Sequence, residues 1–246
     1  TKTNMKKNLL KFYKRLIFQF KIKINLDKQN LNLKSLNELF NYFGTDKGTK
    51  VNNPYAKNGN NPDKKLTGHG YGDFYESHLN TFKNKDIKLL EIGTWKGAGV
   101  AAFYHYFNKA IIFCIDRNFK FQYKSNRVIF FNMNTENSTD VKKLENLFIK
   151  KKVEYLDIII DDGSHNYLDI LNNFKNFFKR IRPGGYYIIE DFNHYKQYAE
   201  VANSPNNSLD IEDILQHLKK KVFFNSVTLN KEFQSFCFEN ISDITV

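Results

Sequence analysis

The sequence predicts an α/β chain wound around a mainly parallel sheet, with helices on both faces. Three observations carry that prediction. Apolar runs at 87–92, 111–116, 128–132, 156–161 and 186–190 have the length and composition of buried strands. Segments with helical apolar spacing at 97–107, 138–149 and 167–181 fall between them, the alternation that builds a doubly wound sheet. Several runs end in acids or a glycine-rich turn, and an open α/β sheet places its crevice beyond the carboxyl ends of its strands.

The elements follow in order along the 246 residues. Residues 9–20 set Leu9, Leu10, Tyr13, Leu16, Ile17 and Phe20 at helical spacing with Lys11, Lys14 and Arg15 between them, and 18–26 then alternate like a strand. This basic amphipathic arm has three open readings: a helix docked on its own domain, one lying on a membrane surface, or one packed against a second subunit of a homo-oligomer. Ser35 and Glu38 form a capping-box pattern that opens a helix to about Tyr42, with Gly44 placed to end it. From 45 to 70 the chain turns polar and rich in Gly, Asn and Pro, as a mobile lid or substrate loop would be. A helix at 72–83 leads into the sheet, and one at 208–220 follows it. The alternating runs 222–229 and 232–238, separated by Asn230 and Lys231, predict a C-terminal antiparallel hairpin. The expected division is therefore an arm over 1–45, a loop over 46–70 and a catalytic-type domain over 71–246.

Composition narrows the setting. With 41% hydrophobic residues the chain can build a sizeable core, and no stretch is apolar enough over sufficient length to span a bilayer. No secretory-signal pattern opens it, so the expected address is cytoplasmic. Cys114 and Cys237 sit in apolar strand-like runs, as reduced buried thiols would, and no zinc-type spacing occurs. Lys and Arg number 38 against 26 acids, a net charge of +12. That charge would suit a nucleic-acid or anionic partner. The lysines are dispersed, however, and Lys, Asn, Ile and Phe abound throughout, which favours AT-rich coding composition and solubility as the cause.

Two groups of residues carry chemistry. Leu89 to Gly99 reads as strand, glycine turn and helix start, where Gly93 permits a tight turn and Gly97 and Gly99 permit close approach to the helix N-terminus. The spacing Gly-x-x-x-Gly-x-Gly differs from the dinucleotide fingerprint and steers away from NAD. About 20 residues on, Asp116 ends the next strand, where an acid accepts hydrogen bonds from ribose hydroxyls; the alternative is a turn cap. The second group is Asp161-Asp162-Gly163-Ser164-His165 together with Glu190-Asp191. So many carboxylates in one crevice repel unless a cation or proton joins them. All are oxygen donors, which points to a hard divalent metal, magnesium first. His165 follows Asp162 by three residues and titrates near neutrality when unperturbed, so it is either a general base or a helix-capping surface residue. His69 and His194 flank the same expected crevice as structural or substrate-contacting groups.

Glu91 to Gly99, Asp116, the Asp161–His165 run and Arg182-Pro183-Gly184-Gly185 before Glu190-Asp191 resemble the Rossmann-like class I S-adenosylmethionine-dependent methyltransferases. More narrowly they are similar to the metal-dependent O-methyltransferases of macrolide sugars and the cephalosporin-hydroxylase-like family, as are Phe43–Lys47, His69–Tyr71 and Tyr75-Glu76. The resemblance covers 40–191 and implies a sugar O-methyltransferase using S-adenosylmethionine and magnesium. It implies that Glu91, Gly93, Gly97 and Asp161 border the cofactor, with Asp116 on its ribose, Asn134 near its base and Tyr71 closing its methionine end. It further implies that Asp162, Glu190 and Asp191 hold the metal while His165, with Asp162, serves the proton transfer. Met133-Asn134 stands where such enzymes often carry Gly-Asp, and Asp161 has a second reading as a helix cap. The expected partner is a small sugar-bearing substrate and not a nucleic acid. Competing readings are an RNA methyltransferase, or a non-catalytic protein on the same fold that binds a membrane or partner through its basic arm.

Overall fold

The apolar runs become strands because both of their faces can be buried. The computed structural model describes residues 2–50, 68–197 and 203–246. In chain order these form α1 (Lys2–Phe20), β1 (Ile24–Asn25), α2 (Leu36–Phe43), α3 (Gly72–Leu79), β2 (Lys88–Ile92), α4 (Ala98–Tyr106), β3 (Ile111–Asp116), β4 (Tyr123–Lys124) and β5 (Val128–Asn132). They continue with α5 (Ser138–Lys150), β6 (Leu156–Asp161), α6 (Tyr167–Phe177), β7 (Ile181–Ile189), α7 (His194–Gln197), α8 (Ile211–Lys219) and α9 (Lys231–Asn240). The principal sheet has the order β5-β3-β2-β6-β7, and β1 pairs with β4 in a separate parallel ribbon. Every residue of β6 is buried, as a central strand requires, whereas every residue of the edge strand β5 is only half-buried. Connections run one way from β2 to β3 and β5, and the other way to β6 and β7, so the topological switch point lies between β2 and β6.

Contacts group the chain into two units. One comprises Thr1–Lys88 with Thr94–Asn132. In it β3 and β5 pair in parallel, Asp116 opposite Asn132. Its core is aromatic: Phe40, Tyr75 and Phe103 meet pairwise with ring centroids 5.3–6.0 Å apart. The Ser35–Glu38 capping box forms as expected, and Gly44 closes α2 in the left-handed region at φ 71°. The expected loop over 46–70 falls mostly on 51–67, outside the described residues. Its flanks are tied together, since the N–H groups of His69, Gly70 and Tyr71 donate to the carbonyls of Asp46, Gly48 and Lys47 at 2.7–3.0 Å. Thus the Phe43–Lys47 and His69–Tyr71 segments, distant in sequence, form one piece.

The other unit comprises Leu89–Gly93 with Met133–Val246. There β2 pairs with β6, Ile92 opposite Asp161, and β6 pairs with β7, Asp161 opposite Ile189, all in parallel. β7 begins at Ile181, earlier than the expected 186, and its ladder is irregular between Leu156 and Ile158, where Pro183-Gly184-Gly185 passes. Residues from α6, α8 and α9, among them Ile170, Phe174, Ile214, Phe233 and Cys237, pack into one cluster. Each fully buried Phe, Leu or Ile contributes about 1.5–3 kcal/mol.

The predicted C-terminal hairpin is not formed. Residues 232–238 belong to α9, and 222–229 contain no strand. The Phe233, Phe236 and Phe238 pattern alternates only in part; the positions that are buried, Phe233, Gln234 and Cys237, have helical spacing. Asn230 caps the helix by accepting from the Phe233 N–H. The backbone that a hairpin would have paired is satisfied by one buried side chain instead: Gln234 accepts from the Phe224 N–H and donates to the carbonyls of Phe224 and Leu229. The strand expected over 18–26 shrinks in the same way to Ile24–Asn25.

Candidate functional site

The switch point lies within the second unit, and its geometry begins with Gly93. This residue follows β2 at φ 87°, and the Asp162 N–H donates to the Ile92 carbonyl at 2.9 Å. A Cβ at Gly93 would stand 1.9 Å from the Asp162 carbonyl oxygen, so only glycine lets the two strand ends come together. Glu91, in the same strand, is buried.

Asp161 and Asp162 then diverge. Asp161 is 2% exposed and turns inward, accepting from Asn173 Nδ2 of α6 at 3.1 Å and from the Tyr187 hydroxyl of β7 at 3.4 Å. Burial raises its carboxyl to about 7, aided by the charge of Asp162 and opposed by the hydrogen bonds from Asn173, Gly163 and Tyr187. Asp162 sits at the partly exposed mouth, its Oδ1 3.6 Å from Nε2 of His165. That separation is too long for a hydrogen bond and short enough for strong electrostatic coupling.

His165 is held in an uncommon backbone state, φ 57°. The loop that imposes it is braced from α6: Asp169, itself buried, accepts from the Ser164 hydroxyl and, at 3.1 Å, from Asn166 Nδ2. After β7 the chain does the same again. Glu190 is buried and its N–H donates to the Asp161 carbonyl at 2.9 Å, while Asp191 takes φ 50°. Its carbonyl accepts from the His194 N–H, and the His194 ring lies 5.4 Å from that of His165. Two strained non-glycine residues, each beside a strand-end acid, are the kind of backbone feature that clusters at functional sites. Asp162, His165, Glu190, Asp191 and His194 are thereby gathered at neighbouring strand ends. Among the described residues, however, no three carboxylate, imidazole or thiolate groups form a ready ligand set for a metal. The donor chemistry suits a hard cation; ligation would need side-chain rotation to complete it.

In the first unit, Asp116 ends β3 with both carboxylate oxygens engaged by its own turn. Oδ2 accepts from the Trp95 N–H at 2.8 Å and Oδ1 from the Asn118 N–H at 2.6 Å, while Asn132 Nδ2 donates to the Asp116 carbonyl. A carboxylate has about four acceptor positions, so ribose hydroxyls can still be taken. Gly97 is the left-handed N-cap of α4 at φ 90°, and a Cβ there would meet the Phe121 ring at 2.3 Å. The glycine turn also carries two groups that the sequence reading did not single out. Thr94 is buried, and its Oγ1 has no hydrogen-bond partner among the described residues, a polar atom that a bound cofactor would satisfy. Trp95 is 47% exposed at φ 47°, with Lys120 Nζ 3.6 Å over its ring. Tyr71 stacks on His69 with centroids 5.0 Å apart.

Asn134, in the second unit, is drawn into a local turn: its N–H donates to Asp140 Oδ2 at 3.2 Å and its side chain exchanges long bonds with Glu136. Asp169, Asn173 and Thr94 are the polar residues that sequence reasoning missed. The available signal was polarity on a buried helix face, since Asp169 and Asn173 stand four apart on α6 beside Ile170 and Phe174.

No known family profile matches the chain. Demethylmacrocin O-methyltransferase of Streptomyces fradiae is 28% identical over 130 residues, 50% of this chain and 32% of that protein. Mycinamicin VI 2''-O-methyltransferase of Micromonospora griseorubida is equally similar, 28% over 130 residues, 50% of this chain and 31% of its own. Over these 130 residues the chain is similar to macrolide-sugar O-methyltransferases. It spans about a third of the length of these curated relatives. Among solved structures, the MycE methyltransferase of the mycinamycin pathway, in complex with Mg and SAH, superposes with a TM-score of 0.64 at 21% identity, covering 87% of this chain and 53% of that one. The shared architecture is a Rossmann-like α/β fold with a five-stranded sheet.

Proposed function

We propose that the chain is an S-adenosylmethionine- and magnesium-dependent methyltransferase acting on a sugar hydroxyl. The observation that carries the reading is the Asp162–His165 pair at 3.6 Å beside the switch point, set on strained backbone with Asp191 and His194 next to it. The macrolide-sugar relatives and the fold support it. Asp116 and Thr94 would hold the ribose and an adjoining polar group of the cofactor, Gly93 and Gly97 shape the turn around it, Asn134 would lie near its base, and Tyr71 would close its far end. Asp162, Glu190 and Asp191 would hold magnesium. The cofactor supplies an electrophilic methyl on sulfur, and the metal lowers the cost of negative charge on the acceptor oxygen.

The residues do the rest. His165, in its neutral form, accepts the proton of the sugar hydroxyl as that oxygen bonds to the methyl carbon and the carbon–sulfur bond breaks. Asp162 stabilises the resulting imidazolium and favours one ring orientation. Asp161, bound to Asn173 and Tyr187, fixes the strand end from which Asp162 projects. The cytoplasm is the proposed workplace, since S-adenosylmethionine is a cytosolic metabolite and Cys114 and Cys237 are both buried.

The test is methyl transfer from labelled S-adenosylmethionine to a panel of macrolide glycosides and nucleotide sugars, with and without chelator. A methylated sugar, lost on chelation and restored by magnesium, is expected. Full, chelator-resistant activity in Asp162→Ala would overturn the metal assignment. Methyl incorporation into RNA alone would overturn the substrate class.

A further inference from the structure

The N-terminal helix presents its apolar side outward. Phe18 is buried, in ring contact with Phe119 and Phe130 at 5.5 and 5.3 Å. At 100° per residue, Leu9, Phe12, Tyr13, Leu16, Ile17 and Phe20 project into one arc of about 140° on the side of the helix opposite Phe18. They are 40–81% exposed, Ile17 and Phe20 at 69% and 81%. A helix that belonged wholly to its own core would point this stripe inward. Lone exposed apolar residues need no explanation, but a continuous stripe marks an interaction surface.

Charge selects the occupant. The first 26 residues contain eight Lys or Arg and no acid. Lys14 and Arg15 are exposed on the half of the helix that carries Phe18, flanking the stripe. A second copy laid against this face would bring the same cations together with no acid on the helix to pair them, which costs association energy. An anionic surface would supply the missing counter-charge. No described helix is long and apolar enough to cross a membrane, so the fitting geometry is in-plane. We propose that α1 lies in the interface of an anionic lipid bilayer, apolar stripe in the acyl boundary and cations among the headgroups, holding the chain at a membrane surface. The proposal does not depend on the methyl-transfer reading.

The experiment is cosedimentation of the 246-residue chain with phosphatidylcholine vesicles with and without phosphatidylglycerol. Binding to the anionic vesicles, weakened by salt, is expected. Ile17→Glu with Phe20→Glu should lower partitioning more than about tenfold, and Lys14→Gln with Arg15→Gln about thirtyfold. All four side chains are exposed, so thermal unfolding should not move, which separates lost binding from lost folding. Failure to pellet with anionic vesicles would overturn the proposal, as would equal binding to neutral ones. So would a dimer in sedimentation equilibrium that the Ile17/Phe20 variant dissolves, for then a second copy covers the stripe.

Discussion

At the end of β3, Asp116 commits one oxygen to the N–H of Trp95, itself at φ 47°, and the other to the Asn118 N–H. At the end of β6 the inward work is done by Asp161, which frees the next residue, Asp162, to face a histidine held at φ 57°. One strand end uses a single acid for its own turn and for any ligand; the other divides those tasks between two. The difference teaches that a strand-end carboxylate announces a crevice without saying which task it performs. Doubling the acid lets Asp161 anchor the strand while Asp162 faces His165.

The sharpest way to break this comparison is His165→Ala. Turnover should fall about 100- to 10,000-fold while the Kd for S-adenosylmethionine stays within about twofold. Single-turnover kinetics and calorimetric binding measure the two arms, and an unchanged rate would leave the acidic end without its base. The glycines give the next largest contrast. Gly93→Ala places a methyl against a backbone oxygen at 1.9 Å and should cost about 3 kcal/mol in urea unfolding. Gly97→Ala, also in the left-handed region, meets a Phe121 ring carbon at 2.3 Å, a side-chain atom instead of backbone, and should cost about 2 kcal/mol. Equal costs would mean that the two turns are equally constrained.

Asp161 sharpens the comparison through pH. Its folded carboxyl is raised to about 7 by burial, so the folded chain keeps a proton that the unfolded chain has lost. The associated stability is fully present below about pH 4, the unfolded value, and is lost as pH rises through about 7. In chelator, Asp161→Asn should therefore gain stability relative to the parent by about 1.4 kcal/mol for each pH unit between about 4 and 7. A flat difference across that window would show Asp161 ionised in the fold. The smallest effect is expected at Asp116→Asn. The substitution keeps the shape but weakens two charge-assisted bonds, lowering stability by about 1 kcal/mol. If ribose hydroxyls also bind there, the Kd for S-adenosylmethionine rises about tenfold; a Kd within about twofold would make Asp116 a turn anchor alone.

Much of this was legible from residues close in sequence. The Ser35–Glu38 capping box, the left-handed Gly44 and the five sheet strands depend on local spacing and on apolar runs that can only be buried. The Asp162–His165 step was legible too, because three residues of loop keep two side chains near each other whatever else the chain does. The hairpin was misread because the faint alternation over 232–238 competes with helical burial at Phe233, Gln234 and Cys237, and only the packing of Gln234 against Phe224 and Leu229 settles which pattern governs.

The sequence by itself determined the fold class, the strand ends and the kinds of group gathered there, since burial and short-range geometry fix these regardless of distant contacts. Only the tertiary structure decided that Asp161 is an anchor, because its partners Asn173 and Tyr187 arrive from α6 and β7. It alone showed that Thr94 keeps a buried hydroxyl unpaired among the described residues and that Asp169 braces the His165 loop. Whether a polar group is satisfied depends on which donors the folded chain brings within about 3 Å, and that distance is not written in the order of residues.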